Sequence, residues 1–263
     1  MTSVESFLTD LFGLKEQIAV VIGATGVLGG ALADGIAAAG ATVVVSGRSA
    51  ERGQQRVDAI RSQGGKAEFI SVEADRRESM NQLLQQTLES YGRVDILVNC
   101  AGTNSSTPYA EITDEDWHRV IDSQLTATHL GCQLFAPVMA KQEVGGAILN
   151  IGSVTSHLPL SRVFAYSAAK AAVVNLTQNV AREYAQQNVR VNVLCPGFFP
   201  AEQNRKILDP QRVENIMRQT PMARFGEPHE LVGAAILLLA RRAGSFITGE
   251  DIYVDGGFTS MRF

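Results

Sequence analysis

Short runs rich in valine and isoleucine recur along the chain, each followed by a longer stretch whose apolar residues return every three or four positions. The runs at 18–22, 41–46, 67–72, 94–99, 146–151, 190–194 and 251–254 predict strands. The stretches at 31–39, 51–63, 80–91, from 114 toward 139, 163–186 and 228–240 predict helices. Strands separated by helices are the mark of βαβ units, whose right-handed crossovers place helices on both faces of a parallel sheet. The pattern therefore predicts an α/β fold with a doubly wound, seven-stranded parallel sheet. No repeat or interdomain linker interrupts it, so residues 1–263 read as one domain, with 198–226 as a loop-helix insertion after the sixth strand. In such sheets ligands bind beyond the carboxyl ends of the strands.

Composition narrows the partners. Hydrophobic residues make up 45% of the 263 positions, enough for a large core, and the net charge of −4 does not fit a nucleic-acid surface. No apolar run approaches the roughly 18 residues of a membrane helix. The acidic amino terminus lacks an export pattern, and Cys100, Cys132 and Cys195 are too far apart to suggest paired disulfides. A cytoplasmic protein is expected. His118, His129, His157 and His229 are scattered without metal-ligand spacing, so no metal is expected; His157 alone stays open, being close to Ser153.

Between the first strand and the first helix lies Gly23-Ala24-Thr25-Gly26-Val27-Leu28-Gly29-Gly30. Glycines there let the backbone approach a pyrophosphate, and the helix amino terminus adds free N–H groups and positive dipole. The second strand ends in Ser46-Gly47-Arg48-Ser49, where an acid would bind a ribose 2′-hydroxyl and repel a 2′-phosphate. Arg48 instead offers a planar fork of donors, with the hydroxyls of Ser46 and Ser49 beside it. NADP(H) is favoured, with NAD(H) as the alternative.

The candidate chemistry lies further along. In Tyr166-Ser167-Ala168-Ala169-Lys170 the phenol and ammonium share a helix face. A free phenol has a pKa of about 10, and a neighbouring positive charge is expected to pull it down toward working pH. Ser153, from a preceding strand end, would polarise a carbonyl or hold an alcohol.

Together with Asn99-Cys100-Ala101-Gly102, Pro196-Gly197, Ile247-Thr248-Gly249 and Val254-Asp255-Gly256-Gly257, these motifs span essentially the whole chain. In that combination the chain resembles the single-domain branch of the short-chain dehydrogenase/reductase family, with its Rossmann-type fold. The resemblance implies Tyr166 as general acid/base, Ser153 as orienter of the substrate oxygen, and Lys170 as the group that lowers the tyrosine pKa and binds the nicotinamide ribose. It also implies cofactor contacts from Gly23, Thr25, Gly26, Val27, Leu28, Gly29, Asn99, Ala101, Gly102, Pro196 and Gly197, with Asp75, or its rival Glu73, at the adenine. A homodimer or homotetramer assembled through long helices is implied as well.

Two departures stand out. Ile22 replaces the threonine usual before the turn, and the middle glycine falls at Gly26. Gln124 stands where the family carries an asparagine that holds a relay water, so slower but surviving catalysis is expected. The 198–226 region, with Gln203, Asn204 and Arg205, resembles the lid of sugar-acid oxidoreductases acting on mannonate/fructuronate or at C5 of gluconate. The alternatives are a 3-oxoacyl thioester reductase, for which the acidic pI offers no carrier-binding patch, and a nucleotide-sensing protein with weakened catalysis.

Overall fold

The computed structural model describes residues 3–199 and 209–260. Seven strands form one parallel sheet: β1 (Ile18–Ile22), β2 (Thr42–Gly47), β3 (Lys66–Ser71), β4 (Ile96–Asn99), β5 (Gly146–Ile151), β6 (Val189–Pro196) and β7 (Asp251–Val254), in the order β3-β2-β1-β4-β5-β6-β7. The chain winds outward from β1 to β3 and returns to pair β4 with β1 on the other side. That reversal opens a crevice at the carboxyl ends of β1 and β4.

Alternate residues of β1 serve two cores. Ala19 and Val21 pack with Leu32 and Ile36 of α2 (Val27–Ala38), Val57 and Ile60 of α3 (Ala50–Ser62), and Leu238 and Leu239 of α9 (Val232–Leu239). Val20 and Ile22 pack on the opposite face with Met80 and Leu83 of α4 (Arg77–Tyr91) and Leu130 and Phe135 of α6 (Ala127–Met139). Every β1 residue is buried, which is why the strand reads as a continuous apolar run.

Four local features depart from the pattern reading. A helix, α1 (Val4–Phe12), precedes the sheet; Ser3 caps it, none of its residues is buried, and Leu11 O accepts from Ala243 N. The α2 helix begins at Val27, four residues before the predicted 31, so the glycine turn is its amino terminus. The long helix predicted from 114 is divided: α5 (Asp114–Ile121) passes through a π-helical turn at Asp122–Thr126 into α6. The 228–240 helix opens with a 3₁₀ turn, Pro228–Leu231, before α9. Thr113 caps α5 by accepting from Asp116 N, and the three acids of the first turn complement the helix dipole.

A buried polar ladder fixes β4 and β5 to α7 (Phe164–Tyr184). Asn99 Nδ2 donates to Asn150 Oδ1 at 2.8 Å, and Asn150 Nδ2 donates to Thr177 Oγ1 at 2.8 Å. Burial without partners would cost each amide about 1–3 kcal/mol, so the ladder favours one register. It also holds the α7 helix, and with it Tyr166 and Lys170, against the sheet. After β6 come the buried Phe199 and, beyond the undescribed residues, α8 (Pro210–Gln219). Among the described residues, no helix is long and apolar enough to cross a membrane.

Candidate active site

A cleft of about 660 Å³ runs over the carboxyl ends of the strands, from Arg48 past the glycine turn to Ser153, Tyr166 and the base of α8. At one end the backbone turns sharply. Gly23 adopts φ +88, and its N–H donates to Ser46 O of β2 at 2.8 Å. A side chain at Gly29 would place Cβ 2.3 Å from Gly23 O, and one at Gly23 would stand 2.6 Å from the Cys100 backbone. Gly26 is the N-cap of α2 and gives it no side-chain cap, so the first-turn N–H groups remain available. Such a bare, glycine-lined helix start is a cradle for phosphate oxygens.

At the β2 end, Arg48 and Arg52 line the cleft, and among the described residues neither pairs with a carboxylate. Arg56 lines it too but is bound to Asp34. Asp75 lies on the cleft wall, whereas Glu73 is not among the lining residues and pairs with Arg76. The donors, the bare helix start and the single acid at the far side fit a nicotinamide dinucleotide.

At the other end, Ser153 follows β5 in extended backbone and is buried; its Oγ accepts from Thr155 N at 3.1 Å. Lys170 is buried one turn beyond Tyr166, with Nζ 5.5 Å from the centre of the tyrosine ring and donating to Ile151 O at 2.6 Å. Ser156 Oγ in turn donates to Lys170 O at 3.1 Å, tying the serine loop to α7.

The electrostatics correct one expectation. Burial pushes the Tyr166 phenol up to about 12, and a hydrogen bond with Ser153 opposes this only in part. Burial also brings Lys170 down to about 8. Desolvation is the largest cause, so Tyr166 is held protonated at neutral pH rather than activated as phenolate.

Gln124 sits on the π turn, buried, with Nε2 donating to Thr103 O at 2.8 Å. Its Oε1 is buried without a partner among the described residues. The amide presses on Gly102, where a Cβ would come within 2.3 Å of Gln124 Cδ. The π turn inserts one extra residue into the helical path that carries Gln124.

Gly23, Thr25, Gly26, Val27, Leu28, Gly29, Arg48, Asp75, Ala101, Gly102, Gln124, Ser153, Tyr166, Lys170 and Gly197 all line the cleft. Three expected contacts do not. Asn99 is committed to the buried ladder, Ser49 caps α3 by accepting from Arg52 N, and Pro196 ends β6 behind the wall. Ser46 is fully buried, so its hydroxyl does not reach a phosphate. His157 turns away to Asp251, with Nε2 3.0 Å from Oδ2. Gln203, Asn204 and Arg205 lie outside the described residues. Pattern reading did not single out Arg52, Arg119 or Arg212, because each reaches the cleft from a helix face whose orientation spacing does not encode.

A family model described as enoyl-(acyl carrier protein) reductase, of the short-chain dehydrogenase class, matches residues 23–259. The chain belongs to the short-chain dehydrogenase/reductase family. Family membership makes it an NAD(P)-dependent oxidoreductase. It is 35% identical over 254 residues to the 2-dehydro-3-deoxy-D-gluconate 5-dehydrogenase of Formosa agariphila, covering 94% of both chains. It is 36% identical to the 3-oxoacyl-[acyl-carrier-protein] reductase of a Synechocystis species, covering 93% of this chain and 97% of that one. The gluconate 5-dehydrogenase of Burkholderia cenocepacia, solved with NADP and tartrate, superposes with a TM-score of 0.92 at 31% identity, covering 97% and 99% of the two chains.

Proposed function

We propose that the protein is an NADP(H)-preferring oxidoreductase that interconverts a secondary alcohol and a ketone on a sugar acid. The reading rests foremost on the meeting of Ser153, Tyr166 and Lys170 in one cleft with an uncapped glycine turn. Bound there, the dinucleotide supplies or accepts the hydride. In the reductive direction Ser153 holds the carbonyl oxygen and Tyr166 gives that oxygen its phenolic proton. Lys170 supplies buried positive charge beside the phenol and donors toward a ribose. Names among the relatives, with gluconate and its oxo derivatives prominent, support the substrate class.

Incubation of the protein with NADPH and 5-keto-D-gluconate should consume one NADPH for each C5 alcohol formed. Failure to consume NADPH with ketones of every class tried would overturn the reading. The 2′-phosphate preference rests on Arg48 and Arg52. In fluorescence titrations NADPH should bind more tightly than NADH, and Arg48→Ala should narrow that ratio by about 10- to 100-fold, the worth of a charge-assisted contact. An unchanged ratio would move the preference elsewhere.

Apolar Leu160, Val163, Phe198 and Phe225 beside the reacting end favour a second reading, a 3-oxoacyl thioester reductase. We assign residues 198–226 to a substrate lid within a single domain, and a homodimer or homotetramer to the cytoplasmic protein; light scattering reads the assembly directly.

Gln124 carries a relay role in the same proposal. Its unpartnered Oε1 would accept from a water on the path from Lys170 to solvent, but the added methylene and the tie to Thr103 O displace it. Gln124→Asn should raise kcat at some pH between about 6 and 10, bracketing the lysine value of about 8. A variant no faster at any pH would remove the relay from the mechanism.

A further inference from the structure

The acids and bases lining the cleft are unevenly matched. Arg48, Arg52, Arg56, Arg119, Arg212 and Lys170 contribute cations, whereas Asp75 is the one carboxylate among the lining residues described. A dinucleotide accounts for the end near β2, where Arg48, Arg52 and Arg56 cluster. Arg119 and Arg212 come instead from α5 and α8, outside the β2–α3 segment that carries the other three.

Those two arginines differ in what they already hold. Arg119 is engaged: it pairs with Asp116 and donates to Thr103 Oγ1 at 3.0 Å. Hydrogen bonds from Ser105 and then Arg119 hold the Asp116 carboxyl below its ordinary range, so the pair stays charged and closed on itself. Arg212 is not. It stands in the first turn of α8, half-buried, and one of its terminal nitrogens donates to Ser161 O at 3.1 Å. Among the described residues it has no carboxylate partner. Ser161 belongs to the loop that leads from Ser153 into the Tyr166 helix, so this bond brings the guanidinium to the substrate side of the cleft. One edge of the fork is used by the carbonyl; the remaining donors are free to bind two oxygens of a planar anion.

We infer that Arg212 binds the carboxylate of the substrate and sets the preference for sugar acids over neutral sugars. The inference rests on the sugar-acid reading above and deepens it. The guanidinium is a specificity residue: it fixes the end of the substrate remote from the reacting carbonyl and leaves proton transfer at Tyr166 untouched. The tie to Ser161 O pre-orders the side chain, so little rotamer freedom is lost on binding.

The test compares 5-keto-D-gluconate with L-sorbose, which carries a hydroxymethyl group where the acid carries its carboxylate. Wild type should reduce the acid with the higher kcat/KM. Arg212→Gln, which keeps a donor for Ser161 O, should lose about 10- to 100-fold in kcat/KM for the acid, chiefly through KM, and change little for L-sorbose. Arg212→Lys should recover part of the loss by restoring charge without the fork. Equal losses on both substrates, or no loss on the acid, would make Arg212 a structural tie of the lid helix and overturn the inference. So would a wild type with no preference for the acid, while the reductase reading survived. If wild type reduces neither compound, the substrate reading fails on its own. The inference is then decided by calorimetric titration of the NADP complex with D-gluconate: binding by wild type and none by Arg212→Gln supports it, and absence of wild-type binding or equal binding overturns it.

Discussion

Replacing Tyr166 by phenylalanine should lower kcat for ketone reduction by about 10²- to 10⁴-fold while leaving NADPH binding within a few-fold of wild type. The surroundings of the phenol prepare it as a proton donor. Burial pushes its pKa up to about 12, so it is protonated across the neutral range and ready to neutralise an oxyanion. The same shift gives the two directions of reaction different pH dependences. Reduction needs the protonated phenol and should vary little with pH between about 6 and 9 on that account. Oxidation needs the phenolate, so its rate should rise with pH through this range, as the scarce deprotonated form becomes more populated. Steady-state rates in both directions test this, and a Tyr166→Phe enzyme that retained full kcat would remove Tyr166 from the chemistry.

A second large effect is expected at Gly29. Its α-carbon faces Gly23 O so closely that any Cβ would fall 2.3 Å from that oxygen, and the obstructing atom is backbone that cannot rotate away. Gly29→Ala should cost about 1–3 kcal/mol of folding stability, as overpacking does, and weaken NADPH binding more than tenfold by displacing the turn. Gly233→Ala is the control, because nothing lies within 4 Å of its added Cβ. Alanine there, in the second position of α9, should leave stability unchanged or raise it by up to about 1 kcal/mol. Thermal melts with and without NADPH separate the two sites. Equal behaviour of the two variants would mean the turn tolerates a side chain and is not a tight cradle.

Much of this architecture is visible in the linear pattern. β1, β5 and β7 have the predicted bounds, since continuous burial or a flanking turn limits each sharply. The Gly23–Gly30 turn is legible because a glycine string between a β-branched strand and an alanine-rich helix has few other uses. Tyr166 and Lys170 are legible because helical spacing alone puts them on one face. Other features depend on tertiary contacts. The π turn at Gln124 inserts a residue without changing the apolar spacing enough to reveal itself. Asn99 has the right neighbours for a cofactor contact, yet the sheet register directs its amide to Asn150. Lys170 has the right charge to lower a phenol pKa, yet burial of the phenol itself raises it, and burial is not a local property. Arg212 sits in a segment whose charge pattern resembles an ordinary solvated helix; only the packing of α8 against the Ser161 loop gives it a direction.

The substrate claim is tested most directly by measuring kcat/KM for 5-keto-D-gluconate and for an acetoacetyl thioester side by side, with NADPH held saturating. The sugar-acid account predicts at least about a tenfold preference for 5-keto-D-gluconate, the discrimination expected from one well-placed charge contact. A preference for the thioester, or reduction of the thioester alone, would contradict it.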